Sequence, residues 1–300
     1  MATIQFPPPL QSGDTLQVVA PSGTLRGREL DAFSAGLEIW RQQGYRVELG
    51  SNWDAGSGYL AGSDAIRRQA LAEAWQNPES KGILCVRGGY GSARLLENWQ
   101  WKPIHPPKWV IGFSDVTGLL WSLFKVGISG VHAPVLTTIA KEPDWSKKRL
   151  FDLLKGKPLD ALQGKGWGGG KVTGVLLPAN LTVATHLLAT PICPSFEGVI
   201  LALEDVQEAP YKIDRLLTQW RMTGLLEKLN GIALGRFSGC DAPPGIPSWS
   251  IEEVLSDRLA NLNIPIVSEL PFGHDGVNAA LPVGQIVELD GDRGILSCYL

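Results

Sequence analysis

Three side chains of the right types for nucleophilic acyl chemistry stand far apart in the chain: Ser114, Glu204 and His274. A serine hydroxyl attacks poorly until a base takes its proton, and the base works best when an acid fixes its tautomer. Ser114 lies in Trp109-Val-Ile-Gly-Phe-Ser-Asp-Val-Thr-Gly-Leu-Leu120. There a buried strand (Val110, Ile111) passes Gly112 and continues as an apolar helix through Val116, Leu119, Leu120, Leu123 and Phe124. A serine at such a strand-to-helix turn is lifted out of the sheet, as in a nucleophile elbow. The N–H groups that open the helix lie beside it and can stabilise an oxyanion. The same position equally suits a serine that only caps the helix, and this stretch alone leaves both readings open.

Four histidines are available as a base. His105 sits in a Pro-flanked loop and reads as a surface residue. His132 ends the strand after the Ser114 helix, where it either lines a cleft or is a satisfied strand-end histidine; the second reading is favoured. His186 falls inside an apolar helix and reads as structural. His274 lies in Leu270-Pro-Phe-Gly-His-Asp-Gly276, a loop of the kind that presents catalytic groups. Glu204-Asp205 closes the apolar strand Val199-Ile-Leu-Ala-Leu203. A carboxylate there is costly unless paired or solvated at a site. Either acid can orient a histidine, open the helix from Tyr211, or pair with Lys212 or Arg215. The order Ser114, Glu204, His274 is that of the α/β-hydrolases, although here the serine and its partners fall in different domains. Arg87-Gly-Gly-Tyr-Gly-Ser92 lacks the lysine of a P-loop and the spacing of a dinucleotide fingerprint. Its Gly88-Gly89 pair permits close backbone approach and suits an oxyanion hole. Arg87 has the chemistry to clamp a substrate carboxylate.

Composition excludes other classes. The chain has 300 residues, 44% hydrophobic and 19% charged, with net charge −3, and a pI near 5.9. That is an ordinary globular balance. No basic stripe points to nucleic acid and no polybasic segment to a membrane. The eleven tryptophans are scattered and read as core or interface. Cys85, Cys193, Cys240 and Cys298 form no C-x-x-C pair, so they read as reduced thiols and zinc is not expected. The stretch Met1 to Leu10 lacks the charge and apolar run of a leader, and no segment is long enough to span a membrane. A cytosolic location is expected.

The elements that position these residues alternate in the first half. Strands are expected at Leu16–Ala20, Tyr45–Leu49, Ile83–Val86, Val110–Ile111 and about Ile128–Val131. Helices are expected at Arg28–Gln43, with Leu30, Phe33, Leu37 and Trp40 on one face, from Ser63 through Ile66, Ala70, Leu71 and Trp75, and at Asp144–Leu154. Repeated βαβ units imply a parallel sheet with ligands at the carboxyl ends of its strands. Ser22, Gly88 to Gly91 and Ser114 all fall at such ends. The Gly-rich segment 157–171 is the expected linker between a domain of residues 1–156 and another of residues 172–300. The second half mixes its elements into an α/β domain with a curved sheet or partial barrel.

Taken in order, several motifs resemble one family. Ala20-Pro-Ser-Gly23, Gly58-Tyr-Leu-Ala-Gly62, Val86-Arg-Gly-Gly-Tyr-Gly91, Ile111-Gly-Phe-Ser-Asp115, Leu203-Glu-Asp205 with Ala209-Pro-Tyr-Lys-Ile-Asp-Arg215, and Pro271-Phe-Gly-His274 are similar to the muramoyltetrapeptide (LD-)carboxypeptidases, serine peptidase family S66. The resemblance implies a triad of Ser114 as nucleophile, His274 as base and Glu204 as orienting acid. It implies an oxyanion hole from the backbone N–H groups of Asp115, Gly88 and Gly89, with substrate contacts from Ser22, Arg87 and Tyr90. It also implies a flavodoxin-like N-terminal domain, a smaller C-terminal one, homodimers in the cytoplasm, and no metal or cofactor. The implied reaction releases terminal D-alanine from murein tetrapeptides. Pro178-Ala-Asn180 and His132-Ala-Pro-Val135 depart from the family's usual residues and bear on the substrate rather than the triad. A related self-immunity amidase, which cleaves acyl-sulfamoyl nucleotide peptide antibiotics, is the alternative; it would call for an aromatic clamp, with Trp167 as a candidate. A non-catalytic peptide binder is the third reading.

Overall fold

A computed structural model describes residues 4–298. Met1 to Thr3, Tyr299 and Leu300 lie outside them. The chain divides into two compact units. The first comprises Met1–Lys157, Ala189–Pro194 and Ala280–Gly284, and the second Pro158–Leu188, Ser195–Ala279 and Gln285–Leu300.

The first unit alternates β1 (Thr15–Val19), α1 (Leu30–Gln42), β2 (Arg46–Leu49), α2 (Asp64–Gln76), β3 (Ser80–Cys85), α3 (Ser92–Leu95), β4 (Trp109–Gly112), α4 (Thr117–Lys125), β5 (Val131–His132) and α5 (Asp144–Leu154). Its five strands run parallel in the order β2-β1-β3-β4-β5, the flavodoxin order that the resemblance implies. Apolar runs explain why the strands sit inside: Leu16, Val18, Ile83, Val110 and Val131 have essentially no exposure. Trp40, Trp75 and Trp121 bury the inner faces of α1, α2 and α4, each worth roughly 2–3 kcal/mol of transfer free energy. Ser63 caps α2 by accepting from Ile66 N, an interaction worth about 1 kcal/mol. On α1, Phe33, Leu37 and Trp40 are buried while Leu30, at the helix start, is exposed.

The second unit holds β6 (Leu162–Gln163), β7 (Lys165–Gly166), β8 (Lys171–Asn180), α6 (Leu181–Leu187), β9 (Val199–Val206), α7 (Pro210–Met222), β10 (Gly231–Ser238), α8 (Ile251–Leu259) and β11 (Ile266–Ser268). After β12 (Leu281–Pro282), which pairs antiparallel with β5 in the first sheet, come β13 (Ile286–Asp290) and β14 (Ile295–Cys298). The second sheet runs β6-β14-β13-β8-β9-β10-β11-β7. Strands β8 to β11 are parallel and the flanking pairs antiparallel. Its two edge strands are joined in the chain by Gly164 alone, so the sheet must curl strongly, yet among the described residues no ladder joins β6 to β7 to close it. A side chain on Gly164 would stand 2.2 Å from Ser268 O, so only glycine fits there. The segment expected as a linker thus carries both sheet edges, and Trp167 N and Gly168 N donate to Ile266 O and Gly291 O.

Candidate active site

Ser114 stands where β4 gives way to α4. Gly112 is required there, because a Cβ would meet both methyls of Val116 at 3.0 Å and Cys85 Cβ at 3.2 Å. Phe113 is extended, and Ser114 then takes φ of 63°. A non-glycine residue pays about 1 kcal/mol or more for that left-handed conformation, which a plain N-cap, normally extended, does not need. A short 3₁₀ turn over Ser114–Val116 leads into α4. The strained turn is the elbow geometry: it directs the side chain off the strand and opens the following N–H groups.

The loop after β3 comes against this turn. A Cβ built on Gly88 would lie 3.0 Å from Ser114 Cβ, 3.1 Å from its Oγ and 3.6 Å from Asp115 N. Gly89 and Gly91 have φ of 111° and 120°, values that L side chains avoid. Gly23 N donates to Gly88 O at 3.3 Å. Ser92 N donates to the buried Asp115 carboxylate at 2.8 Å, and Ser92 Oγ to Asp115 O. Asp115 therefore clamps the start of α3 to the Ser114 turn through its side chain, beyond the backbone N–H expected of it.

Arg67 also organises this edge. It is fully buried and its guanidinium donates to Pro21 O and, at 2.7 Å, to Gly91 O, while pairing with Asp64. It ties the loop after β1 to the loop after β3. The sequence does not announce this role, because Arg67 follows Ile66 in a helix whose apolar residues dominate its pattern. Ile66 is in fact largely exposed. The one available signal was an arginine in phase with Ala70, Leu71, Ala74 and Trp75 on the inward face.

The expected substrate contacts are placed as follows. Ser22 is fully buried, its carbonyl accepting from Ala61 N at 3.1 Å. Arg87 donates to Thr24 O at 2.9 Å and lies 3.4 Å from Glu29, so part of its guanidinium is engaged in joining loops. Tyr90 is exposed, edge-on to Tyr59 with ring centroids 5.8 Å apart.

In the second unit, Glu204 Oε2 lies 2.6 Å from His274 Nδ1. Glu204 has no exposure, and the His274 side chain is 18% exposed. Burial raises the Glu204 pKa, opposed by His274 and by Asn180. For His274, burial works against the imidazolium, but the Glu204 charge and hydrogen bond outweigh it, so its pKa rises. Parallel register sets Asn180 beside Glu204. Its amide donates to Glu204 Oε1 at 3.2 Å and to Asp205 Oδ1 at 3.1 Å, and its oxygen caps α6 by accepting from Val183 N. Asp205 is occupied elsewhere, accepting from Thr182 N and Oγ1 and from Val206 N. Sequence left both acids open; the structure brings Glu204, not Asp205, to His274. Such a buried pair holds Nδ1–H and leaves Nε2 able to accept a proton.

His132 is buried on β5, its ring edge-on to Phe113 at 5.8 Å. His105 and His186 are exposed, His186 on α6. Cys85 is fully buried, which pushes its thiol up to about 12. Among the described residues no three His, Cys, Asp or Glu side chains group as a metal site would, and no helix is long and apolar enough to cross a membrane.

Comparison with known proteins follows this geometry. Residues 16–133 match the LD-carboxypeptidase N-terminal domain and residues 173–289 the LD-carboxypeptidase C-terminal domain. A Synechocystis sp. relative named a "putative carboxypeptidase" is 60% identical over 97% of this chain and 96% of its own length. The murein tetrapeptide carboxypeptidase of Pseudomonas aeruginosa is 31% identical over 92% of this chain and 93% of its own. The crystal structure of muramoyltetrapeptide carboxypeptidase from Oxalobacter formigenes superposes with a TM-score of 0.84 at 28% identity, covering 94% of this chain and 97% of that one. The microcin C7 self-immunity protein MccF superposes at 0.88 with 22% identity, over 98% of both chains, a likeness of fold. A serine at a strained strand-to-helix turn and a buried glutamate–histidine pair, in a chain that both domains of one family match, have one reading: the chain belongs to the LD-carboxypeptidase family, S66 of the serine peptidases, and is a serine-type carboxypeptidase.

Proposed function

We propose that this protein hydrolyses the L,D-peptide bond that holds the terminal D-alanine of murein tetrapeptides, with Ser114, His274 and Glu204 as its triad. The observation that carries the reading is the buried Glu204–His274 contact at 2.6 Å, and the left-handed Ser114 supports it. Ser114 Oγ attacks the scissile carbonyl while His274 Nε2 takes its proton. Glu204 holds the tautomer and stabilises the imidazolium. The N–H groups of Asp115, Gly88 and Gly89 receive the oxyanion, each donor worth about 2.7–4 kcal/mol by the usual cost of losing one. His274 then protonates the leaving amine, D-alanine departs, and water activated by the same imidazole hydrolyses the acyl-enzyme. Arg87, Ser22 and Tyr90 are assigned to the peptide and its carboxylates. The similarity to enzymes named for murein tetrapeptide and muramoyltetrapeptide supports the substrate class.

The same reading carries a cytoplasmic homodimer that needs no metal; sedimentation of the purified protein tests the dimer and cell fractionation the location. The amidase alternative draws less support. Trp167, its candidate clamp, donates its indole N–H to Ser268 Oγ at 2.9 Å.

Release of D-alanine from a purified murein tetrapeptide decides the matter. The wild type is expected to turn over, Ser114→Ala to be inert and EDTA to leave the rate unchanged. A Ser114→Ala protein as fast as wild type ends the triad reading. Failure of a serine-directed fluorophosphonate to label Ser114 would favour the non-catalytic binder.

A further inference from the structure

His274 sits on a loop with little secondary structure to hold it, so something else must fix its position. Strand β10 does so. Leu270 N donates to Leu234 O at 3.1 Å, and Arg236 N to Phe272 O at 2.8 Å. A Cβ on Gly235 would meet Phe272 at 2.5 Å, and one on Gly273, whose φ is 137°, would lie 3.1 Å from Arg236 Cβ. Both glycines are thus needed for the loop to lie flat on the strand. Gly273 N also donates to the buried Asn278 side chain at 3.3 Å. These contacts end at Gly273, one residue short of the histidine.

The next link is a charge pair. Arg236 Nη1 lies 2.9 Å from Asp275 Oδ2, with the two side chains 38% and 37% exposed. Asp275 directly follows His274. The backbone of Arg236 therefore holds the residue two before His274, and its guanidinium the residue after. We propose that Arg236 is a positioning residue for His274, acting through the Asp275 carboxylate. Its bearing on catalysis rests on the reading of His274 as the base.

The charges acting on His274 are Glu204 and Asp205 of β9 and Asp275 beside it, all of which favour the imidazolium. Arg236 faces this set from β10 through Asp275 and offsets the nearest exposed member. Removing Arg236 leaves the Asp275 charge uncompensated, whereas removing the Asp275 charge leaves the Arg236 cation. The two changes must therefore move His274 in opposite directions. Simple loosening of the loop has no such sign. Surface pairs this exposed contribute little to stability, so both variants are expected to fold.

The test follows the His274 imidazole Cε1–H resonance by NMR titration, assigned by its loss in His274→Gln, in the wild type, Arg236→Gln and Asp275→Asn. The midpoint is expected to rise in Arg236→Gln and fall in Asp275→Asn, each by about half a pH unit at low salt, and both shifts should shrink at high salt. The acidic limb of kcat/KM should move with them. Arg236→Gln should lower kcat roughly tenfold with KM held, and Arg236→Lys should recover most of that loss. Midpoints that stay put, or move in the same direction, overturn the proposal. Because the titration needs no substrate, a wild type inert toward tetrapeptide would end the proposed function while this result still stands or falls on its own.

Discussion

Gly88 lies against Ser114 so closely that a methyl group on it would stand 3.1 Å from the serine hydroxyl and 3.6 Å from Asp115 N. Its own φ is not in the left-handed region, so a side chain here is opposed by this close approach and not by backbone torsion. Gly88→Ala keeps the N–H but sets a methyl against the hydroxyl, and is expected to lower kcat by about 10²–10³, as much as one displaced oxyanion donor costs. Its melting temperature should stay close to wild type. A Gly88→Ala enzyme with normal kcat would show that this approach has no part in the reaction.

The strain at Ser114 has a signature in stability. Both Ser114→Ala and Ser114→Gly remove the hydroxyl, but only glycine relieves φ of 63°. The glycine variant is expected to be more stable than the alanine variant by about 1 kcal/mol, measured by urea unfolding. Equal stability of the two would argue that the turn relaxes in solution.

Glu204→Gln keeps the shape of the buried acid but loses the charge that fixes the imidazole. A drop in kcat of about 10³–10⁴ is expected from the wrong tautomer, with KM little changed. Glu204→Ala should in addition lose stability by roughly 3–5 kcal/mol, because the imidazole is left against an empty buried space.

The pH dependence follows from the raised His274 pKa. A base must be neutral, so activity should fall as pH drops, with the acidic limb above the ordinary imidazole value of about 6.5. Stability runs the other way. A group whose folded pKa is raised stabilises the fold fully below the unfolded value, and that share is lost as pH rises through the folded value. Unfolding of wild type and His274→Gln across this window should therefore converge as pH rises.

Arg67 supports the site without touching it. Arg67→Met should cost roughly 3–5 kcal/mol, since Asp64 and the Pro21 and Gly91 carbonyls lose a buried cation. Calorimetry of the variant provides the check. Residual activity below its melting temperature should be lower than wild type, because Gly91 belongs to the same loop as Gly88.

Local features were legible because local rules govern them. The βαβ alternation, the helix opening at Ser63, the helix at 144–154 and the turn at Ser114 each depend on residues a few positions apart. The apolar runs of Ile83–Val86 and Val199–Leu203 likewise assign themselves to buried strands. The six motifs also carried the family. What tertiary structure alone decided is non-local. Leu281–Pro282 joins the first sheet, and the Gly-rich segment ends up as both edges of the second, because strand pairing is set by partners more than a hundred residues away. Arg67 turns inward because backbone carbonyls at the ends of two distant strands need a donor, which no periodicity reports. Glu204 rather than Asp205 meets His274 because the hydrogen bonds to Thr182 and Val206 have already claimed Asp205, a choice between adjacent carboxylates that composition and order cannot make.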